Sequence, residues 1–353
     1  MFINKILLLS SLLLITCKQT NKQNTNHLKK ETMTEKKFEW SPTECVPDFY
    51  PAEIYQGDFI TDDGKYITIP YGGTIDSGVW GSSGSSWAVG EDLKPVPSQL
   101  KIIWISYTEN QFYFLDTKLP KEKMTALFEK GFIDKQGKQT TYDNIVVGLA
   151  PGGAVSVWLL EGTRTTEVGH YQAVKTDVDI KDWIPDANLS REEIVKRRQG
   201  RFSEETKKVL AEQGIPIGKW TGFRERFLWK PIIKHVEDFK LKRLSNNLYN
   251  GERYSVSVGN PILDNYENFP PPKRMAFSWF DKNDNQFGCK VKFNEKEIWE
   301  AFKKIYKNPK TKQAELVFKI DKYNSFVDIF LKSENDSIKI EKAKIKVYHV
   351  SPD

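Results

Sequence analysis

Short segments of alternating apolar and polar residues fill most of the chain after residue 37, and they predict antiparallel strands joined by tight turns. Segments 59–61 and 66–70 flank Asp62-Asp63-Gly64, a sequence that tolerates the positive φ of a hairpin turn. A second hairpin is predicted around Glu109-Asn110. The last apolar alternation predicts one strand over residues 338–347.

Apolar residues with the spacing i, i+3, i+4 predict two longer helices. The apolar faces are Met124, Leu127 and Phe128 in the first helix, and Ile298, Ala301 and Phe302 in the second. Pro120 suits the first helical position of the first helix and Gly131 its C-cap, while Asn294 suits the N-cap of the second. Antiparallel hairpins with one covering helix argue for an α+β fold rather than an alternating βαβ chain.

This pattern of hairpins and helix occurs twice in the chain. Five residues recur with an offset of 175 (272 − 97): Pro97, Trp104, Asn110, Gln111 and Phe112 recur as Pro272, Trp279, Asn285, Gln286 and Phe287. The helix faces follow with an offset of 174, which places Phe128 over Phe302. We therefore predict two tandem, internally duplicated units, residues 38–185 and 236–353, with equivalent tryptophans in the strands and equivalent buried phenylalanines in the helices.

Residues 186–235 have no counterpart in the repeat and are predicted to form a helical and aromatic connecting arm. Ser190 and Glu193 form a capping box for one helix, and Ser203 suits the N-cap of a second. Segment 219–233 places four large aromatic residues around two arginines. It suits either a partner groove or, as we prefer, internal packing against the units.

The first sixteen residues predict a lipoprotein signal peptide. Lys5 supplies the positive charge, an apolar segment follows, and Leu-Ile-Thr precedes Cys17. The segment resembles a lipobox, in which the cysteine is diacylated and becomes the mature N-terminus; an ordinary secretory signal is the alternative. Residues 17–37 are polar and predict a disordered tether. Lys18 favours the outer membrane, with a periplasmic or surface-facing orientation left open.

Length and charge limit the classes of protein. A chain of 353 residues favours two domains, and no stretch after residue 16 is long and apolar enough to span a bilayer. With 53 basic and 47 acidic residues and a net charge of +6, the surface is mixed. This balance argues against a nucleic-acid partner.

A search for chemistry finds no catalytic motif. The four histidines have no metal-ligand spacing, and neither a nucleophilic serine elbow nor a phosphate loop occurs, so we expect no metal and no cofactor. Cys45 and Cys289 either form a disulfide or, as we prefer, remain free thiols. Asn110-Gln111 and Asn285-Gln286 are interpreted as turns. Carboxylates are plentiful, but no pair can be assigned from the sequence.

The Gly- and Ser-rich segment 71–91 carries Trp80 and Trp87 and is the candidate binding loop. Functional groups concentrate on loops, and exposed tryptophans suit a contact surface. The alternative is that both side chains fold back and cover the sheet, and we prefer this alternative on burial statistics.

Several strings together resemble a bacterial lipoprotein family, domain of unknown function 2931. They are the W-I-S-Y start of a hairpin, V-G-L-A-P-G-G-A-V-S-V-W-L, V-G-H-Y-Q and R-E-R-F-x-W. The resemblance extends over most of the mature chain and implies a lipoprotein of the cell envelope. It provides no catalytic residues. Relatives linked to defence against secreted antibacterial toxins suggest an immunity role.

These observations favour a non-enzymatic, lipid-anchored envelope protein that binds a protein partner, either a toxin or an envelope component. The alternative is an envelope hydrolase that acts on glycans or lipids through paired carboxylates. A pocket between the units with two carboxylates, one of raised pKa, would favour the enzyme. Solvent-facing tryptophans on a shallow surface would favour binding.

Overall fold

A computed structural model describes residues 35–76 and 78–350. The strands of this part of the chain are β1 (Lys37–Glu39), β2 (Ser41–Cys45), β3 (Ala52–Ile60), β4 (Tyr66–Thr68), β5 (Leu93–Pro95), β6 (Gln99–Ser106), β7 (Gln111–Lys118), β8 (Phe132–Ile133), β9 (Gln139–Thr140), β10 (Asn144–Ala150), β11 (Ala154–Glu161), β12 (Arg164–Gln172), β13 (Val174–Thr176), β14 (Phe227–His235), β15 (Lys240–Leu248), β16 (Arg253–Ser257), β17 (Glu267–Phe269), β18 (Pro272–Phe280), β19 (Gln286–Lys292), β20 (Ala314–Ile320), β21 (Val327–Lys332), β22 (Ser337–Ile340) and β23 (Lys344–His349). The α-helices are α1 (Lys121–Lys130), α2 (Ile180–Trp183), α3 (Arg191–Gly200), α4 (Glu204–Gln213), α5 (Lys219–Gly222) and α6 (Glu295–Tyr306). The mixed α+β class is confirmed.

The first half of the described chain has its core between two sheets. One sheet has the strand order β13-β7-β6-β3-β4, and the other contains β2-β10-β11-β12, in which β2 and β10 are parallel. Helix α1 adds Met124 and Phe128 to this core, where they join Trp104 from the first sheet and Val157 from the second. Gly131 ends α1 as expected, with φ +54 and its N–H bonded to the carbonyl of Leu127.

The second half has a core of the same kind. One sheet has the order β17-β14-β20-β21-β22, with β14 and β20 parallel, and the facing strands have the order β16-β15-β18-β19-β23. Helix α6 adds Ile298 and Phe302, which pack with Trp279 and Phe318. Asn294 caps α6 through a 3.0 Å bond from the N–H of Glu297, as predicted.

A single nine-stranded sheet runs through both halves, with the order β2-β10-β11-β12-β16-β15-β18-β19-β23. The halves meet where β12 pairs antiparallel with β16, and Arg164 and Thr165 lie opposite Tyr254 and Arg253. Lys36–Asp353 is accordingly one compact unit. Residues 227–235, which the sequence analysis assigns to the connecting arm, form β14 and belong to a sheet of the second half.

The two central hairpins differ by one residue in their turns. Trp104 on β6 lies opposite Tyr113, nine residues later (113 − 104), whereas Trp279 on β18 lies opposite Phe287, eight residues later (287 − 279). Both tryptophans are buried and stack on these partners. The sequence alignment of Phe112 with Phe287 is therefore wrong by one position, because the offset changes inside the turn and a one-residue slip moves a side chain to the other face.

The turns themselves follow their sequences with one difference. Asn110 adopts the left-handed conformation with φ +49, as its turn interpretation requires. In the second hairpin it is Asp284, with φ +60, that adopts this conformation, rather than Asn285. The predicted strand over 338–347 is divided into β22 and β23, because Glu297 accepts hydrogen bonds from the N–H groups of Glu341 and Lys342.

Helices α3 and α4 of the arm follow the predicted caps and, together with α2, cover one sheet face. The Ser190–Glu193 capping box is present, and the Ser203 hydroxyl accepts a hydrogen bond from Thr206. Val195 and Phe202 pack against the outer face of the β13-β7-β6-β3-β4 sheet with Ile105 and Phe112. The aromatic part of the arm is also packed internally, with Trp220 and Trp229 buried.

Candidate functional site

A buried ionic cluster lies where the two halves of the nine-stranded sheet meet. Glu167 on β12 and Glu252, just before β16, are both buried. The N–H of Glu167 donates a 3.1 Å hydrogen bond to Oε1 of Glu252. Asn250 donates through Nδ2 to both carboxylates, at 3.1 Å to Glu167 and 3.0 Å to Glu252. This pair of carboxylates could not be assigned from the sequence.

Two arginines after α5 complete the cluster. Arg224 donates through Nε to Oε1 of Glu167 at 2.9 Å, and Arg226 donates to Oε2 of Glu252 at 2.7 Å. Burial raises the pKa of Glu167 and outweighs the lowering effect of Arg224. The cluster is thus charge-compensated, and its carboxylates are occupied by donors from their own chain.

A histidine connects this cluster to α5. His170 Nδ1 lies 2.7 Å from Oγ of Ser156, and Nε2 lies 2.9 Å from Oγ1 of Thr221. Burial lowers the pKa of His170 to about 4, with Arg224 acting in the same direction, so the ring is neutral at pH 7. The Ser156 hydroxyl lies within hydrogen-bond distance of both Nδ1 of His170, at 2.7 Å, and Oε1 of Glu167, at 3.3 Å. Ser156 is itself 1% exposed, so its hydroxyl is not presented to a substrate.

A cleft of about 870 Å³ opens beside the cluster and takes residues from both halves and from the arm. Its aromatic lining is Phe49, Tyr50, Trp80, Phe202, Trp220, Phe223 and Tyr249. This volume lies within the range of roughly 300–1,000 Å³ typical of ligand pockets. Phe49 has φ +75, which is rare for a bulky residue and is found where surrounding structure holds a strained backbone.

Cationic side chains also line the cleft. Lys273 is half-buried, and burial lowers its pKa while Asp48 and Glu295 act in the raising direction. Arg274 and Lys292 are exposed and also line the cleft. A further 2.9 Å ion pair joins Lys219 to Glu295 at its edge. The acidic side chains of Asp48, Asp76, Glu205 and Glu295 also line the cleft, which therefore combines an aromatic surface with charges of both signs.

Trp80 and Trp87 of the candidate binding loop have different environments. Trp80 is 7% exposed and packs edge-to-face on Trp158 with ring centroids 4.8 Å apart. Trp87 is 38% exposed, and its ring centroid lies 5.2 Å from that of Tyr71. Trp80 therefore contributes to the floor of the cleft, and Trp87 is the accessible tryptophan of the loop.

The backbone holds this loop against the second half of the chain. Gly81 has φ +81, and a Cβ atom there would lie 2.3 Å from the carbonyl oxygen of Gly251. Thr43 donates to the carbonyl of Ser85 at 2.6 Å, and the N–H of Ser85 donates to Glu44 at 2.8 Å. Gly81 thus allows close backbone contact with the second half, and the bonds of Ser85 hold the loop to β2 of the first half.

The remaining sequence candidates have no catalytic environment. Cys17 lies outside the described residues. Cys45 and Cys289 are free and buried, and burial raises the pKa of each thiol to about 12. Within residues 35–76 and 78–350, no group of three or more His, Cys, Asp or Glu side chains is arranged to hold a metal ion. In the same part of the chain, no helix is long and apolar enough to cross a bilayer.

The fold and cleft define an α+β protein with a ligand-sized cleft and a buried ionic cluster. The family model described as Protein of unknown function (DUF2931) matches residues 19–218, more than half of the chain, and the chain belongs to this family. The resemblance drawn from the sequence is thereby confirmed, although Arg224 and Arg226 lie beyond the matched range. Neither the curated proteins nor the solved structures contain a match.

The ionic cluster is the feature that sequence reasoning missed. Its residues come from strings already noted for other reasons, because Glu167 directly precedes V-G-H-Y-Q and R-E-R-F contains both arginines. Glu167 and Glu252 are 85 positions apart (252 − 167), so only the pairing of β12 with β16 brings them together. A carboxylate at the edge of a predicted strand, next to the apolar Val168, was the available signal.

Proposed function

We propose that this protein is a lipid-anchored component of the bacterial cell envelope that binds a partner in the cleft and catalyses no reaction. The observation that carries the proposal is the cleft itself, which is lined by the aromatic side chains of Trp220 and Tyr249 and by the cationic Lys273. Aromatic groups and cations together suit recognition of an acidic or amphipathic segment of a partner. A toxin or an envelope protein could supply such a segment.

An envelope hydrolase is the second candidate, and the raised pKa of Glu167 beside Glu252 is the observation that favours it. Two features outweigh this observation. Glu167 does not line the cleft, and both carboxylates accept hydrogen bonds from arginine and asparagine side chains. A general acid requires access to its substrate. Binding is therefore the better-supported function.

A crosslinked pull-down from lipidated cells tests the cleft. Lys273→Gln removes a cation from the cleft, and Lys312→Gln removes an exposed one that does not line it. We expect the first variant to lose the partners recovered with the wild type and the second to retain them. If both folded variants recover the same partners, the cleft is not the binding surface.

The same assay tests the loop through Trp87→Ala alone. Because Trp80 is buried, its removal would disturb the fold and obscure any effect on binding. Tyr323→Ala removes an aromatic side chain that is 73% exposed and serves as the matched control. Loss of partners in Trp87→Ala alone would assign the loop to the binding surface, and equal recovery would exclude it.

The lipid anchor is a separate part of the proposal and has a separate test. Leu14, Thr16 and Cys17 support attachment of lipid to Cys17, and Lys18 supports sorting to the outer membrane. Globomycin treatment or Cys17→Ala should abolish palmitate labelling and reduce recovery of the protein with membranes. Undiminished membrane recovery of the unlabelled Cys17→Ala protein would contradict the anchor.

We also propose that the two halves are copies of one ancestral unit. The orders β13-β7-β6-β3-β4 and β23-β19-β18-β15-β16 support this, as do the parallel pairs β2–β10 and β14–β20. The decisive measurement is a superposition of the two halves that places Trp104 on Trp279 and Phe128 on Phe302. An experimental structure in which the halves superpose poorly would overturn the duplication.

A further inference from the structure

One exposed face of the nine-stranded sheet carries basic side chains in register. We call it the basic face, and it consists of Arg243, Arg274, Lys290, Lys292, Lys344 and Lys346, all of which are exposed. Arg274 lies opposite Lys292, and Lys292 lies opposite Lys344. In the next row, Lys290 lies opposite Lys346. Strands β18, β19 and β23 thus present two adjacent rows of positive charge.

These rows contain no compensating carboxylate. The neighbouring positions in the same rows are Asn247, Ser245, Ala276 and Ser255. Among the residues that the structure describes, no carboxylate lies within 4.0 Å of the basic-face nitrogens. Like charges directly opposite each other destabilise an antiparallel pair. The sheet therefore keeps an arrangement that costs it stability.

Protection of a sheet edge explains only part of this arrangement. Lysines on an edge strand prevent edge-to-edge association, and this accounts for Lys344 and Lys346 on β23. Lys290, Lys292 and Arg274 lie on β18 and β19, which are paired on both sides. Their charges need another explanation.

The corresponding face in the first half shows what this sheet position otherwise does. In the β13-β7-β6-β3-β4 sheet, the outer face carries Ile105 and Phe112, which are buried under Val195 and Phe202 of the arm. With Trp104 placed over Trp279, Ile105 and Phe112 correspond to Phe280 and Gln286 of the second half. The two basic rows correspond instead to Gln99 opposite Lys118 and to Lys101 opposite Asp116, so the first half has a carboxylate where the second half has Lys290. The basic face lacks this compensation and stays exposed to solvent.

We propose that the basic face binds the phosphate headgroups of an anionic lipid surface. Lysine dominates the face, and lysine is depleted in protein–protein interfaces, where aromatic residues and arginine prevail. Lysines close to an anionic membrane are each attracted to its surface charge. Ser245 and Ala276 leave two shallow depressions between the lysines, of about 350 and 390 Å³, with room for headgroups.

The proposed envelope location would place the basic face near a membrane, but the inference itself is drawn from the geometry of the sheet. A tethered protein would hold the basic face close to the membrane, which raises the effective concentration of a weak contact. Arg274 and Lys292 of the basic face also line the cleft. The vesicle assay contains no protein partner, and the pull-down changes Lys273, which lies outside the basic face, so the two interactions are tested independently.

Vesicle sedimentation of the full-length Cys17→Ala chain tests the proposal without the lipid anchor. The two vesicle types are phosphatidylcholine with phosphatidylglycerol, and phosphatidylcholine alone. Residues 1–16 contribute equally in every variant, so the difference between vesicle types isolates the charge effect. The test variant combines Lys290→Gln, Lys292→Gln, Lys344→Gln and Lys346→Gln. The matched control combines Lys208→Gln, Lys296→Gln, Lys304→Gln and Lys310→Gln, which are exposed lysines outside the basic face.

We expect the parent chain to prefer anionic vesicles. The partition coefficient of the test variant onto these vesicles should fall about fivefold for each lysine replaced. The control variant should keep the preference of the parent, and added salt should weaken that preference in both. Equal binding of the parent to both vesicle types would overturn the proposal, as would equal losses in both variants, which would indicate net charge alone. Binding to a short DNA duplex without binding to vesicles would assign the face to nucleic acid instead.

The single variant Lys292→Gln provides a second test that does not depend on the quadruple variant folding. It relieves repulsion with Arg274 and Lys344, so its melting temperature should equal or exceed that of the parent while its preference for anionic vesicles falls about fivefold. A stable Lys292→Gln protein with unchanged vesicle preference would contradict the proposal.

Discussion

Glu167 and Glu252 are 85 positions apart in the sequence (252 − 167), yet the backbone N–H of Glu167 donates a 3.1 Å hydrogen bond to the carboxylate of Glu252. Arg226 and Asn250 also donate to the same carboxylate. One side chain therefore connects β12, the 249–252 turn and the segment after α5. This relationship makes the ionic cluster the polar joint between the two halves.

Removal of one carboxylate from this joint should be costly. Glu252→Ala removes the carboxylate that accepts from Arg226, from Asn250 and from the N–H of Glu167, and breaking a buried pair in this way costs about 3–5 kcal/mol. Glu300→Ala removes an exposed carboxylate that pairs with Lys296 at 3.9 Å, and should change stability by less than about 0.5 kcal/mol. Chemical denaturation of both variants measures the difference. If Glu252→Ala and Glu300→Ala had the same free energy of unfolding, the ionic cluster would not contribute to the stability of the fold.

The stability of the protein should depend on His170 below pH 6.5. Its pKa falls from the ordinary value of 6.5 to about 4 in the folded chain, so between these values the unfolded chain binds a proton that the folded chain does not. Neutral His170 therefore contributes up to about 3 kcal/mol to the free energy of unfolding. This contribution is fully present above pH 6.5 and is lost as the pH falls through about 4.

Denaturation of His170→Gln between pH 4 and 7 tests this dependence. The variant should show a shallower loss of stability with falling pH than the wild type, because the titrating group is gone. His349→Gln removes an exposed histidine and should leave the slope of the wild type unchanged. Parallel curves for the wild type and His170→Gln would contradict the assignment.

Gly81→Ala should loosen the loop that carries Trp87. The new Cβ would lie 2.3 Å from the carbonyl oxygen of Gly251, in addition to the strain of φ +81. Gly72 has φ +83 with open space around it, so Gly72→Ala introduces the same kind of strain without the collision. Limited proteolysis should cut the loop faster in Gly81→Ala than in Gly72→Ala. Equal rates would mean that the close contact does not hold the loop.

Phe128→Ala and Phe302→Ala should each lower the free energy of unfolding by about 3–5 kcal/mol, because both rings are buried under their helices. Phe128 contacts Phe38 and Tyr142, and Phe302 contacts Phe227 and Trp229. Thermal and chemical denaturation measure the two losses. Phe326→Ala, at a residue that is 54% exposed, is the control and should have a small effect.

Local features of the fold were predictable because their causes lie within a few residues. Asn110 and Asp62-Asp63-Gly64 make turns through their own backbone preferences, and Asn294 caps α6 through a bond to a residue three positions later. The apolar spacing of Met124 and Phe128 predicted the face that α1 buries. The α+β class followed from these elements.

The register of the central hairpins was less predictable. Identical Asn-Gln-Phe strings suggested that Phe112 and Phe287 are equivalent, but the pairing with Trp104 and Trp279 assigns that place to Tyr113. The sequence match and the strand register disagree because the turns differ in length. Cross-strand pairing, which the sequence does not encode locally, decides which side chains face the core.

The sequence by itself determined the α+β class, the apolar faces of α1 and α6, several caps and turns, and the charge of this protein, since each depends on neighbouring residues. Only the tertiary structure decided that Glu167 meets Glu252, that Trp80 is buried while Trp87 is exposed, and that Arg274, Lys292 and Lys344 form one row. These relationships depend on strand order and on which face the arm covers. Both are set by burial summed over the whole chain, to which each residue contributes only a small part.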